Sequence, residues 1–364
     1  MTNIKINNGL ANIGILGFHL LYLLFLINTN LSKPQYILAY NVVLIFIFIK
    51  TYLINLKIVL PFFILSLIAF FCSIFKNDDI SIFINIAYFF SLSIIVLLYR
   101  VYRINNSIHL FLMICYFLFI IFKLASGYDP NFILDNKSQN MVSFYFMLFV
   151  ILFYIYDNRK GSLLISLLPS IFMVVLSLLM YGRSGIIVSI VLLLGVFYFY
   201  LRSSSIFKKI LIYLIGLLIA VYFTLSFSGF IEEGLSRFNR EGTSLTGRAE
   251  LWSTYFSLIE NNFTFFFIGV PLDADYLFVR YDRNFHNSFL SLHSYLGVFS
   301  MAFLLYVLFC LFNQKNDLFL RFLLLVLLVR GFSDQLFFLN FNDYIIFLIL
   351  SFFAFKSKKA LFNS

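Results

Sequence analysis

A chain of 364 residues with 62% hydrophobic and only 12% charged residues, and a mean hydropathy of +0.98, falls outside the soluble globular class, in which about 25% of residues are charged. Its apolar residues come in runs of roughly 15 to 20, the length a helix needs to cross about 30 Å of hydrocarbon, whereas a barrel shows alternating segments of about ten. The formal charge of +10 would suggest nucleic acid in a soluble protein, but here it is spread over short breaks between apolar runs, and no nucleic-acid partner is expected.

The pattern predicts an all-α integral membrane protein of about twelve transmembrane helices, at 10–28, 36–49, 58–75, 80–99, 108–125, 141–156, 162–181, 185–201, 210–228, 286–312, 318–331 and 343–355. Pro61 and Pro169 lie inside predicted spans, where neighbouring helices can satisfy the backbone groups a kink frees. Cys72, Cys115 and Cys310 also fall inside spans, which supports neither a disulfide framework nor a cysteine metal site. His19 and His109 have no polar company along the sequence, and Lys123 near the end of its span is expected to snorkel to the interface.

Orientation follows from the bias of Lys and Arg toward cytoplasmic loops. With the N-terminus inside, the inner segments hold Lys5, Lys50, Lys57, Arg100, Arg103, Arg159, Lys160, Arg202, Lys208, Lys209, Lys315, Lys356, Lys358 and Lys359 against only Asp157 and Asp317. Both termini are then expected in the cytoplasm, with the long polar loop 229–285 on the outer face. The first span, preceded only by Lys5, lacks a small-residue cleavage pattern and reads as a retained helix. No internal repeat or inverted pair of broken helices suggests a transporter.

Chemistry-bearing residues gather on that outer side. Arg183 sits between glycines in YGRSG at the edge of two spans, a costly position unless it meets water, an acid or an anion. The long loop supplies Arg237, Arg240, Arg248, Arg280 and Arg283 and no lysine, and a guanidinium fork matches phosphate oxygens where an ammonium offers a point charge. The same loop holds eight acids, so some arginines are expected to pair. From about Gly247 to Glu260 an amphipathic helix is predicted, with Thr246 as N-cap and Leu251, Trp252, Tyr255, Leu258 and Ile259 as its apolar stripe. Arg248 falls in its first turn, where free N–H groups and the helix dipole also favour an anion.

His286 and Asn287 stand where the loop re-enters the membrane, and an imidazole there can take a proton from a hydroxyl or donate to a developing charge. His293 lies roughly on the same helix face. Arg330 and Asp334, one turn apart, read as an intrahelical pair, with a supporting place near the anion site as the alternative.

These residues, taken in order, resemble the O-antigen polymerase and ligase superfamily, the Wzy and WaaL proteins. The resemblance rests on GRSG at 182–185, TGRAELW at 246–252, IGVP at 268–271, and His286-Asn287 followed after nine residues by Gly297. It implies a C-type glycosyltransferase-like fold and a division into an N-terminal bundle (1–161), a polymerase/ligase-type core (162–312, including loop 229–285) and C-terminal helices with a tail (313–364). It also implies sugars carried on undecaprenyl pyrophosphate, with Arg183 and Arg248 on the pyrophosphate and His286 on the acceptor hydroxyl. Arg280, Arg283, Asn287 and Arg330 are the further substrate-binding candidates.

Displacement at the anomeric carbon, with lipid pyrophosphate leaving, would need no cofactor. The Asp273-Ala274-Asp275 spacing holds a metal in other glycosyltransferases, but none is expected here. Ser300, three residues past Gly297, departs from what ligases tend to carry. An O-antigen polymerase in a bacterial inner membrane, acting toward the periplasm, is therefore expected ahead of a ligase acting on lipid A core or a lipid-linked oligosaccharide flippase. Its partners would be lipid-linked donor and acceptor, membrane lipids, a chain-length regulator and a flippase.

Overall fold

The computed structural model describes residues 2–27, 34–76, 78, 80–134, 139–159, 167–180, 182–202, 246–281, 283–335, 337, 340 and 342–355. The predicted ninth span, Thr246's capping side chain, and Glu232, Glu233, Arg237, Arg240, Glu241 and Asp282 lie outside what is described. Among the described residues the regular elements are helices and no strand occurs. By packing, the chain forms two compact units, one of Met1–Leu112 with Arg248–Ser364 and the other of Met113–Gly247.

The first unit begins with α1 (Thr2–Ile27), α2 (Pro34–Ile47), α3 (Ile49–Ile54), α4 (Leu56–Lys76), α5 (Ile80–Ser91) and α6 (Ser93–Val101), followed by α7 (Asn106–Ala125), which continues into the second unit. Leu56–Lys76, Ile82–Val101 and Asn106–Ala125 are long and apolar enough to cross a membrane. Shorter apolar helices account for other predicted runs. The predicted span 80–99 is α5 and α6, which run on through Leu92, itself in the right-handed helical region, as one continuous apolar stretch over Ile82–Val101.

Residues 94–99 of α6 are 0% exposed, and the last described helix, Asp343–Ala354, is nearly as enclosed along 343–351. Helices apolar all round are the ones a bundle places at its centre, and these two pack on each other.

That centre is not purely apolar. Nε2 of His19 lies 2.8 Å from the Tyr99 hydroxyl, which lies 2.9 Å from Nε2 of His109. His109 Nδ1 is 3.2 Å from Asn106 Oδ1. The expectation that both histidines lack polar company is therefore corrected. Their partner Tyr99 comes from a third helix, and buried polar groups without partners are costly.

In the second unit α8 (Gln139–Arg159), α9 (Leu168–Leu179) and α10 (Arg183–Arg202) pack on one another. A Cβ at Gly182 would run into Asn140 Oδ1, and one at Gly185 into Ser143 Oγ. The glycines flanking Arg183 thus let α10 approach α8 closely. Lys123 lies 3.9 Å from the ring centre of Tyr128, a cation–π contact that suits an interfacial end.

The chain returns to the first unit with α11 (Thr246–Asn261), α12 (Thr264–Ile268), α13 (Tyr276–Arg280), α14 (Ser288–Leu296), α15 (Phe299–Phe312), α16 (Leu318–Ser333) and α17 (Asp343–Ala354). The predicted span 286–312 is corrected to two helices. The break is Gly297, whose φ of +55° and close approach to Phe267 leave no room for a Cβ. Val298 N–H donates to the Phe267 carbonyl at 3.1 Å.

Gly269 of IGVP (φ +86°) sits equally close to the carbonyls of His293 and Ser294. The two glycines thus seat the α12 turn on the C-terminal end of α14. Gly297→Ala is expected to cost about 1–3 kcal/mol through the forced backbone conformation alone, read as a lowered thermal midpoint of the purified protein in detergent.

Candidate functional site

The amphipathic helix expected at 247–260 is α11, with Leu251 and Tyr255 buried (0% and 1% exposed) and the opposite side open. Its stripe is fastened by specific contacts. Tyr255 packs edge-to-face on Phe285 at 5.0 Å, and its hydroxyl lies 2.7 Å from His293 Nδ1. Aromatic pairs of this geometry contribute about 0.5–1.5 kcal/mol beyond area burial. The other ring nitrogen of His293 lies 3.1 Å from the Phe266 carbonyl. His293 is thus held between α11 and α12, which accounts for this histidine structurally.

The Trp252 indole packs on Phe332 of α16 at 5.8 Å and donates from Nε1 to the Phe285 carbonyl at 3.1 Å. Phe285 N–H in turn donates to Gln335 Oε1 at 3.1 Å. The residue before His286 is therefore fixed from both sides.

His286 itself adopts a left-handed backbone, φ +49°, and Arg283 does the same at φ +58°. Non-glycine residues rarely occupy this region, and such residues persist where surrounding contacts over-determine them. Here those contacts are the His286 N–H donating to Asn284 Oδ1 at 2.8 Å and the clamp on Phe285. Asn287 is the N-cap of α14, its side-chain oxygen accepting from the N–H groups of Phe289 and Leu290. Ser288 follows, donating to the Asp334 carbonyl at 2.8 Å and accepting from Phe337 N–H at 3.2 Å. α14 packs on α4, α12, α15 and α16.

On this frame three sequence-predicted residues converge on one carboxylate. Arg330 Nη1 donates to Asp334 Oδ2 at 2.7 Å, Arg248 Nη2 lies 3.6 Å from Oδ1, and His286 Nδ1 lies 3.8 Å from the same oxygen. The Arg330 side chain is 1% exposed and that of Asp334 10%, whereas Arg248 and His286 keep 33% and 29% open. A buried ion pair thus forms the floor, with a guanidinium and an imidazole above it facing outward. Two arginines against one carboxylate leave net positive charge before the histidine is counted. The outward pair can meet an anion with a planar fork and a ring nitrogen.

Burial alone would push the Asp334 carboxyl up, but the facing imidazole of His286 and the charges of Arg330 and Arg248 outweigh it and hold it below the usual carboxylate range. A lowered folded pKa stabilises the fold fully above the ordinary value of about 4, and that contribution is lost as pH falls through the lower folded value. A thermal-midpoint scan from about pH 5 down to pH 3 should therefore show a loss that is absent in Asp334→Asn.

Of the remaining predicted residues, Arg280 and Arg283 belong to the first unit and Arg183 to the second. Arg280 is exposed at the end of α13, and Arg283 is half-buried just before His286, its N–H donating to the Phe278 carbonyl at 2.8 Å. Asp275 of the Asp273-Ala274-Asp275 spacing is the N-cap of α13, accepting from Leu277 N–H at 2.8 Å. Arg183 opens α10 in the second unit.

The sequence spacing pairs Asp334 only with Arg330, whereas in the fold Arg248 and His286 also face it. One signal was available: an acid at the end of an apolar span must be paired, and it lies on the side where arginines accumulate. No family model, curated protein or solved structure matches this chain.

Proposed function

We propose that this chain is a polysaccharide polymerase of the O-antigen polymerase and ligase type. In this reading it spans a bacterial inner membrane about twelve times with both termini in the cytoplasm, and joins repeat units carried on undecaprenyl pyrophosphate at the periplasmic face. The observation that supports it is the meeting of Arg248, His286 and Arg330 around Asp334. This puts an outward-facing guanidinium beside an imidazole on a rigid, net-positive base.

In the proposed reaction a hydroxyl of the acceptor sugar attacks the anomeric carbon of the donor. The new glycosidic C–O bond forms as the C–O bond to the lipid pyrophosphate breaks, and the bonding electrons leave on phosphate oxygen. Arg248 faces that developing charge, and a fixed charge in place before the reaction lowers the barrier without reorganisation. The Asp334 carboxylate beside Nδ1 of His286 favours a proton on that nitrogen, leaving Nε2 to accept the hydroxyl proton. Arg330 neutralises Asp334 from below and holds it in place. The resemblance also gives Arg183 a part in pyrophosphate binding, which Arg183→Ala tests in the same assay.

The test is complementation of a strain that makes the matching lipid-linked repeat unit but lacks its own polymerase. A ladder of chain lengths on the surface polysaccharide is expected, and its loss in His286→Ala with the protein still inserted. Single-unit caps without a ladder would point to a ligase, and a ladder retained in His286→Ala would remove that residue from the chemistry.

A further inference from the structure

A second feature of the first unit stands apart from the Asp334 cluster. A groove of about 520 Å³ runs between α4, α15 and α17, within the 300–1,000 Å³ range of sites that hold small ligands. On α4 its wall extends from Lys57 to Ile68, roughly 16 Å at the helical rise. Ala302 and Ala354 keep two of its walls low. Leu60, Ile64, Phe299 and Tyr306 on its lining are 51%, 46%, 50% and 41% exposed. Since α4 is long and apolar enough to cross a membrane, the open side of the groove faces hydrocarbon.

One end of the groove is different. Lys57 is exposed there, its ammonium 5.3 Å from the ring centre of Phe355. The groove is therefore polarised, apolar along its length and cationic at its mouth. A helix from another protein would cover the apolar length but leave Lys57 against hydrocarbon. A neutral lipid would fill the length and leave the Lys57 ammonium without an anion. The molecule with the same polarity is a lipid with an anionic head, and basic pockets between membrane helices take such heads.

We propose that this groove is a binding site for an anionic glycerophospholipid, with one acyl chain along α4 past Pro61 and the phosphate at Lys57. The site does not depend on the polymerase reading.

The test is native mass spectrometry of the full chain released from detergent, titrated with phosphatidylglycerol or with phosphatidylcholine of the same chains. Preferential retention of phosphatidylglycerol is expected. Lys57→Gln should weaken it about fivefold, the effect of one basic residue near an anionic head, and leave phosphatidylcholine unchanged. Ala302→Phe, which fills the groove from an exposed position, should lower retention of both lipids.

Equal retention of the two lipids, or a Lys57→Gln variant that binds phosphatidylglycerol like the parent, would overturn the proposal. So would stronger retention of a polyprenyl phosphate, or a dimer that Ala302→Phe dissociates, since either names another occupant.

Discussion

Asp334→Asn is expected to lower stability by about 3–5 kcal/mol, the effect of leaving one member of a buried ion pair uncompensated. Arg330 is 1% exposed and bonded to Asp334 at 2.7 Å, so its charge has no access to water when the carboxylate is lost. The Ser288 hydroxyl, which bonds the backbone of Asp334 and Phe337, limits how far the segment can move to compensate. Chemical denaturation in detergent reads the loss.

Removing both charges in an Arg330→Met, Asp334→Asn double variant should restore most of that stability, because replacing a buried pair by apolar volume is often near neutral. Activity should not return with it, since Arg248 and His286 still lack the carboxylate that orients them. Recovery of stability without polymer separates the two roles of Asp334. Recovery of both would reduce the cluster to a packing device.

Arg248→Ala should reduce polymer formation about 10²- to 10³-fold, the usual effect of deleting one pre-positioned group that faces developing charge. Its partly open side chain predicts little loss of stability, because exposed pairs contribute about 0–1 kcal/mol, and the 3.6 Å separation from Asp334 is long. Arg248→Lys should retain part of the activity, as a point charge replaces the fork that matches two phosphate oxygens. Rates of polymer growth at equal protein level compare the parent with the two variants.

Much of this arrangement was visible in local sequence. The stripe of Leu251, Trp252, Tyr255, Leu258 and Ile259 specified α11 and its inner face, because helical periodicity is a local property. Arg248 in its first turn and His286 at the end of the polar loop followed from position alone.

What was not visible is the long-range pairing. The i,i+4 spacing of Arg330 and Asp334 suffices to explain both residues, and nothing along the chain says that the spare carboxylate oxygen faces residues 48 and 86 positions upstream. The His19, Tyr99 and His109 contacts were hidden for the same reason, each residue standing in its own apolar run. Hydropathy predicts a single helix over 286–312 because it cannot see a positive φ at Gly297. The motif glycines of IGVP and Gly297 prove to be places where two backbones meet.

The most direct measurement is polymer synthesis by the purified full chain supplied with its lipid-linked repeat unit, comparing the parent with Arg248→Ala and His286→Ala. The expected result is a ladder of products with release of polyprenyl pyrophosphate from the parent and neither from the two variants, with all three proteins equally folded. A ladder of undiminished length and rate from Arg248→Ala would contradict the assignment of the Asp334 cluster as the site of transfer.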